Sequence, residues 1–243
     1  MKLTFLGTGA ADWGEMHRNM PGFRRYTSTL IDGKLLIDGT AMIQDQLSFL
    51  GSVECMLYTH SHRDHFDADF QRKIQPKKAY AEKSWAADAN ALPLIPGVPF
   101  EEAGYTIIPL PSNHSTGRND EQPLNYLIMT DEKKLLYATD GAWLTNRTYH
   151  AIRENAPLDA IVFDGTVGDD FPNDWRVFEH NTLTMVRDMK KALVLMGALR
   201  EDGHVFVTHL ARTLHADQKT LEETEWKLGS GITVCYDGMT DEI

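Results

Sequence analysis

Six consecutive residues, His60-Ser61-His62-Arg63-Asp64-His65, put three imidazoles and a carboxylate directly behind an apolar stretch, Val53–Thr59. That stretch reads as a buried strand, so the cluster begins where a rigid element ends and a loop takes over. Residues two apart in extended backbone face the same side, which lets His60 and His62 grip one ion together. Asp64 and His65 then point elsewhere as the chain turns into a helix, favouring a second, adjacent ion. Neutral imidazole with carboxylate suits borderline transition metals, whereas thiolate-rich sets suit structural zinc or iron–sulfur clusters. The plain alternative is a surface histidine cluster that binds nothing. Four ligand-type side chains in six residues argue against it.

Further ligand-type residues follow other apolar strands. His114 comes after Tyr105–Pro111, Asp140 after Leu135–Thr139, and His209 after His204–Thr208. Each alone reads as a cap or a satisfied polar residue. Together with the first cluster they predict a pair of metal ions at the carboxyl edge of a sheet, where loops build sites on rigid supports.

The remaining chain limits the alternatives. Its 243 residues, 42% hydrophobic and 24% charged, suffice for one α/β domain over 1–243 with an ordinary core. Net charge is −11, and an acidic surface repels long nucleic acids, whose affinity comes mainly from Lys and Arg on phosphates. A small anionic substrate held by metal ions remains compatible. The two cysteines, Cys55 and Cys235, form no disulfide framework. The N-terminus has no signal-peptide pattern, and the longest apolar run, Ala192–Leu199, is far short of a membrane span. These features predict a soluble, cytoplasmic protein with no membrane partner.

The pattern predicts strands over Lys2–Leu6, Tyr26–Ile31 and Lys34–Ile37, the last two joined at Asp32-Gly33, a strong hairpin signal. A helix is expected over Ala41–Leu50, then the strand Val53–Thr59. Tyr105–Pro111, Leu124–Thr130 and Leu135–Thr139 are expected strands. The last third alternates: helix Asn146–Glu154, strand Ala160–Phe163, helix Asn181–Leu199, strand His204–Thr208, helix Ala216–Leu228 and strand Ile232–Tyr236. Strand meanders followed by αβ alternation, in two similar halves, predict sheets sandwiched between helices.

The series His60-x-His62-x-Asp64-His65, then His114, Asp140 and His209, resembles the signature of the metallo-β-lactamase superfamily over essentially the whole chain. The opening Phe5-Leu6-Gly7-Thr8-Gly9-Ala10-Ala11 resembles its phosphodiesterase branch, which includes the tRNA 3′-processing endonucleases. Leu110–Ser115, His180-Asn181-Thr182-Leu183 and Tyr236-Asp237-Gly238-Met239 are similar to the cyclic-phosphate phosphodiesterases of the carbon–phosphorus lyase pathway. The resemblance implies an α/β fold, the αββα four-layer sandwich, with two divalent ions at one edge: zinc or manganese first, iron or nickel also accepted. It implies that His60, His62 and His114 hold the first ion, that Asp64, His65 and His209 hold the second, and that Asp140 bridges them. Asp64 would also orient the nucleophile, and His180 would serve the leaving group beside the substrate phosphate. Relatives of this branch commonly form homodimers, so a homodimer is compatible with the resemblance.

Two departures stand out. The carbon–phosphorus lyase enzymes carry an extra structural zinc, but Trp13–Arg25 contains no cysteine and Arg212 stands where their late histidine would be. Arg63 replaces the glycine of the tRNA enzymes' motif, and no basic arm for tRNA is evident. The expected function is therefore binuclear metal-dependent hydrolysis of a small phosphodiester, cyclic nucleotide or sugar phosphate. A thioester, lactone or β-lactam hydrolase on the same ligands is the second reading, and a catalytically silent metal-binding module the third.

Weaker signals stay open at this level. Gly7-x-Gly9 lacks the third glycine of a dinucleotide fingerprint, because Asp12 occupies that position. Asp164 is either an acceptor orienting a ligand imidazole or a turn residue. His215 is the peripheral histidine nearest to mattering. Arg24, Arg25 and Arg63 are candidates to meet an anion, and Trp13, Trp143 and Trp175 either line the mouth or pack into loops.

Overall fold

A computed structural model describes residues 1–46, 53–224, 229 and 231–243. Six strands come first: β1 (Lys2–Gly7), β2 (Ser28–Ile31), β3 (Leu35–Ile37), β4 (Cys55–Leu57), β5 (Lys78–Glu82) and β6 (Leu92–Leu94). Seven more follow: β7 (Phe100–Glu102), β8 (Tyr105–Pro111), β9 (Leu124–Met129), β10 (Lys134–Ala138), β11 (Leu158–Asp164), β12 (Leu199–Thr208) and β13 (Ile232–Val234). The last strand, β14 (Thr240–Glu242), returns to pair with β1. One sheet runs β14-β1-β2-β3-β4-β5-β6 and the other β13-β12-β11-β10-β9-β8-β7.

Period-two alternation explains why the two sheets stack. Leu35 and Ile37 of β3, Cys55 and Leu57 of β4, Leu135 and Tyr137 of β10, and Val162 of β11 all enter one buried cluster between the sheets. Their neighbours face outward. Leu36 and Met56 meet Phe70 of helix α1 (Ala68–Ile74). Leu136, Ile161 and Phe163 meet Ile152 of α2 (Asn146–Glu154) and Val186 and Met189 of α3 (Leu183–Leu195). Two sheets with helices on both outer faces make the αββα sandwich.

Each of these helices starts at a side-chain cap. Asp67 Oδ1 accepts from Asp69 and Phe70 N–H, Thr145 Oγ1 from Thr148 N–H, and Thr182 Oγ1 from Met185 N–H. A cap of this kind is worth about 1 kcal/mol. Two of the caps, Asp67 and Thr182, lie two residues from His65 and His180, so they fix helix ends beside the site.

Most expected elements appear with shifted ends. The hairpin at Asp32-Gly33 forms, with both residues at positive φ. Ala41–Gln46 is a 3₁₀ helix; the rest of the expected Ala41–Leu50 helix lies outside the described residues. The helix expected over Asn181–Leu199 is shorter, because Thr182 caps it and the chain turns at Gly197 into β12. The helix expected over Ala216–Leu228 is described as α4 (Gln218–Thr224); it starts two residues late, Ala216 and Asp217 being loop, and 225–228 lie outside the described residues. Strands β5, β6, β7 and β14 were not expected. They are three to five residues long and carry charged or proline positions that blur alternation.

Gly7 and Gly9 have a packing role. A Cβ on Gly7 would stand 1.9 Å from Tyr26 O, and one on Gly9 2.9 Å from Arg25 O. This close approach lets the Thr8–Ala10 backbone clasp Leu210, with Leu210 N–H donating to Thr8 O and Ala10 N–H to Leu210 O. Among the described residues, no helix is long and apolar enough to cross a membrane.

Candidate metal centre

The site collects at one edge of the sandwich, from residues that follow β3, β4, β8, β10, β11 and β12. Three of them leave their strands in the left-handed region: Asp38 at φ 55°, Asp140 at 50° and His209 at 61°. Non-glycine residues adopt this conformation at a cost, and such strain gathers where function demands a particular side-chain direction. Gly141 follows Asp140 because a Cβ there would sit 2.4 Å from Ser112 Oγ, which itself donates to Asp140 O at 2.7 Å.

His60 Nε2 lies 3.0 Å from His62 Nδ1, which lies 3.4 Å from His114 Nε2. In the second group, His65 Nε2 is 3.4 Å from His209 Nε2 and 3.3 Å from Asp64 Oδ2, and His209 Nε2 is 3.6 Å from Asp64 Oδ2. Asp140 Oδ2 touches both groups, 3.3 Å from His60 Nε2 and 2.7 Å from His65 Nε2. All seven residues named from the sequence as metal ligands therefore converge. Donors ~2.0–2.1 Å from one tetrahedral ion stand ~3.3–3.4 Å apart, and these spacings surround that value. His114 Nδ1 is buried with no hydrogen-bond partner among the described residues. The donor set thus fits two divalent cations.

The supporting residues are as ordered as the donors. Asp38, fully buried, accepts from Thr59 N–H and Thr59 Oγ1 and from His65 Nδ1, all at 2.8 Å. His65 is thereby held with Nε2 toward Asp140, an orientation typical of metal-bound imidazole. Glu121 accepts from Ser61 N–H at 2.8 Å and Ser61 Oγ at 2.6 Å, pinning the His60–His62 turn. Asp164 does the same on the opposite side. Its Oδ1 accepts from the N–H groups of Thr166 and Asn181, and its Oδ2 from His180 Nδ1 at 2.8 Å. His180 Nδ1 is also 3.3 Å from Asp140 Oδ1, and its ring stacks on His209.

Burial and charge act in opposition here. Burial opposes ionisation of Asp64 and Asp140, yet the charges of His65 and His209 hold both carboxyls well below their usual range. Burial would likewise lower His65 and His209, but the facing carboxylates raise both, His209 to about 10. His60 goes the other way: burial, then the neighbouring imidazoles, keep it well below its ordinary value and neutral. Three buried carboxylates, Asp64, Asp140 and Asp164, are held in the charged form and make a concentration of negative charge that requires cations nearby, whereas burial raises the Asp38 pKa.

The weaker sequence signals resolve unevenly. Asp164 orients His180, and His215 supports that loop from behind, its Nε2 donating to Gly165 O at 2.7 Å. Arg24 does not face an anion site. It is buried, donating to Thr8 Oγ1 and Cys235 O. Arg25 is likewise occupied, by Asp45 and Asp237, whereas Arg63 is exposed. Trp13 packs inward and donates Nε1–H to Leu210 O. Trp175 is exposed, and Trp143 borders a cleft beside the site. Sequence reasoning missed Asp38, Glu121 and Asn181. For Asp38 a signal existed: Asp38-Gly39, Asp140-Gly141 and Asp164-Gly165 all end apolar strands.

Residues 37–210 match the family model of the β-lactamase superfamily domain. No curated protein sequence matches the chain significantly. Among solved structures, a diphosphatase from the PhnP family is 21% identical, with TM-score 0.70, over 100% of this chain and 96% of its own. Zn²⁺-bound PqqB from Methylobacterium extorquens is 17% identical, with TM-score 0.76, over the full length of both chains. Human tRNase Z, short form, is 15% identical, with TM-score 0.68, over 100% and 99%.

Proposed function

Since the chain belongs to the metallo-β-lactamase superfamily, whose members include metal-dependent hydrolases, we propose that it is a binuclear phosphodiesterase acting on a small nucleotide or sugar phosphodiester, cyclic esters included. His60, His62 and His114 would hold one divalent ion, Asp64, His65 and His209 the other, with Asp140 between them. Zinc or manganese best suits these imidazole and carboxylate donors. Ions bound there lower the pKa of a water and neutralise charge on the phosphate oxygens.

The observation that carries the phosphodiester reading is His180. Its ring lies beside the bridging carboxylate without belonging to either ligand group, and Asp164 anchors its Nδ1. Burial disfavours its charged form, but the Asp164 carboxylate outweighs burial and raises the pKa above the ordinary histidine value. Protonation is thereby favoured, and with Nδ1 held by Asp164 the Nε2–H faces away, available to a departing oxygen. Alkoxide leaving groups of phosphodiesters need such a proton, and a placed acid contributes ~10²–10⁴-fold in rate. Asp38 fixes the tautomer of His65, and Asp64, buried between His65 and His209, restrains where the attacking oxygen can stand. The likeness to a PhnP-family diphosphatase and to tRNase Z is consistent with phosphate-ester chemistry on this fold.

A substrate panel tests the proposal. Bis-p-nitrophenyl phosphate, a lactone and a thioester are offered to chelator-stripped protein and to the same protein reconstituted with Zn²⁺ or Mn²⁺. Metal-dependent turnover of the phosphodiester at least tenfold above the others is expected. Preferential turnover of the lactone or thioester would replace this reading with that of an acyl hydrolase.

A further inference from the structure

Beside the His/Asp groups lies an open cleft of about 470 Å³, within the ~300–1,000 Å³ range of small-molecule sites. Three of its lining residues are chain neighbours of site residues: Asn113 precedes His114, Trp143 lies three residues past Asp140, and Thr182 two past His180. Its apolar surface comes from Trp143, Phe178, Pro172 and Met185. Trp143 is 50% exposed and Phe178 77%, and large apolar side chains left open together mark a binding surface.

The backbone at Trp143 is specialised. Its φ of +57° is a left-handed conformation that disfavours a bulky residue. Fully buried Asn181 secures it: Oδ1 accepts Trp143 N–H at 2.7 Å, Nδ2 donates to Gly141 O at 2.9 Å, and Asn181 N–H donates to Asp164 Oδ1 at 3.0 Å. One residue therefore ties the Trp143 backbone to the Asp140 turn and to the carboxylate that orients His180. The charge of the cleft is equally selective. Among the described residues no Lys, Arg or His lines it, and Asp169, whose Oδ1 accepts from Thr184 N–H, adds a carboxylate. A second phosphate is repelled there, whereas an uncharged ring bearing N–H donors is accommodated.

We infer that this cleft receives the organic group esterified to the scissile phosphate, and that this group is a planar uncharged heterocycle, a nucleoside base stacked on Trp143, in preference to a bare or phosphorylated sugar. The inference rests on the phosphodiesterase reading above. Its test compares a 2′,3′-cyclic nucleotide with methyl riboside 2′,3′-cyclic phosphate, which lacks the base, for zinc-loaded wild type, Trp143→Ala and Trp143→Phe. Wild type is expected to favour the nucleotide about tenfold in kcat/KM, mainly through KM, because a stacked base contributes on that order. Trp143→Ala erases the ratio and Trp143→Phe keeps most of it. An equal kcat/KM for both esters in the wild type, or a loss in Trp143→Ala shared equally by both, overturns the inference while phosphodiesterase activity stands. If neither ester is turned over, the phosphodiesterase reading fails and calorimetry decides the subsite. Adenosine 3′-monophosphate should bind zinc-loaded wild type about tenfold tighter than ribose 5-phosphate does, a preference absent from Trp143→Ala. Equal affinities overturn the inference.

Discussion

His180 is the residue at which chemistry and scaffold can be separated. It contacts the bridging carboxylate but completes neither donor group, so His180→Ala should keep both metals and lose rate. The loss should approach ~10²–10⁴-fold on a diester with an alkyl leaving group and be much smaller on bis-p-nitrophenyl phosphate, whose phenolate leaves without a proton. Equal losses on the two, measured as kcat at saturating metal, would remove the acid role. At this scale most of the site was legible. The His60–His65 run is readable because strand geometry translates spacing directly into direction, and His114, Asp140 and His209 because each stands where an apolar strand stops. Asp38 stands in the same position and escaped notice, since nothing in a strand-end aspartate distinguishes a ligand from the residue that orients one. Glu121 and Asn181 act on backbone N–H and C=O groups from far along the chain, a role without sequence periodicity.

Elements carry the site by how they end. The segment after β11 is held from three sides: Asp164 binds His180 and Asn181, Thr166 Oγ1 lies 2.8 Å from His209 Nδ1, and His215 Nε2 donates to Gly165 O. Burial pushes the His215 pKa down to about 4, its bonds to Gly165 and Thr166 opposing this only in part. The unfolded chain takes up this proton below about 6.5, while the folded chain resists until about 4. Stability from this group is therefore complete above pH 6.5 and drains away as pH falls toward 4, by on the order of 3 kcal/mol at most. Urea denaturation at pH 8 and pH 4.5 should show a smaller pH-dependent loss in His215→Gln than in wild type. Identical losses would mean that the imidazole is not held neutral. Longer, strongly apolar strands such as β8 and β9 were visible in advance. The short strands β5, β6 and β7 were not, because their pairing is decided by neighbouring strands and their own residues carry little alternation.

At the scale of the whole molecule, two stacked sheets bring residues from positions 38 to 209 to one edge, and the buried negative charge of Asp64, Asp140 and Asp164 is what that edge must neutralise. The outer layers are legible from alternation, since β3, β4, β10 and β11 each send successive residues to opposite clusters. The lateral order of strands is not legible, because β14 closes beside β1 through long-range pairing. Hydrolysis at this edge depends on the converged donors accepting two ions. The direct measurement is metal content by elemental analysis, with anomalous diffraction to locate the ions, on wild type and Asp140→Ala reconstituted with Zn²⁺. Two ions per chain are expected in wild type, one against His60, His62 and His114 and one against Asp64, His65 and His209, with occupancy and activity both collapsing in Asp140→Ala. A wild-type chain that holds no ion at these residues, or an Asp140→Ala variant that keeps both ions and full activity, would contradict it.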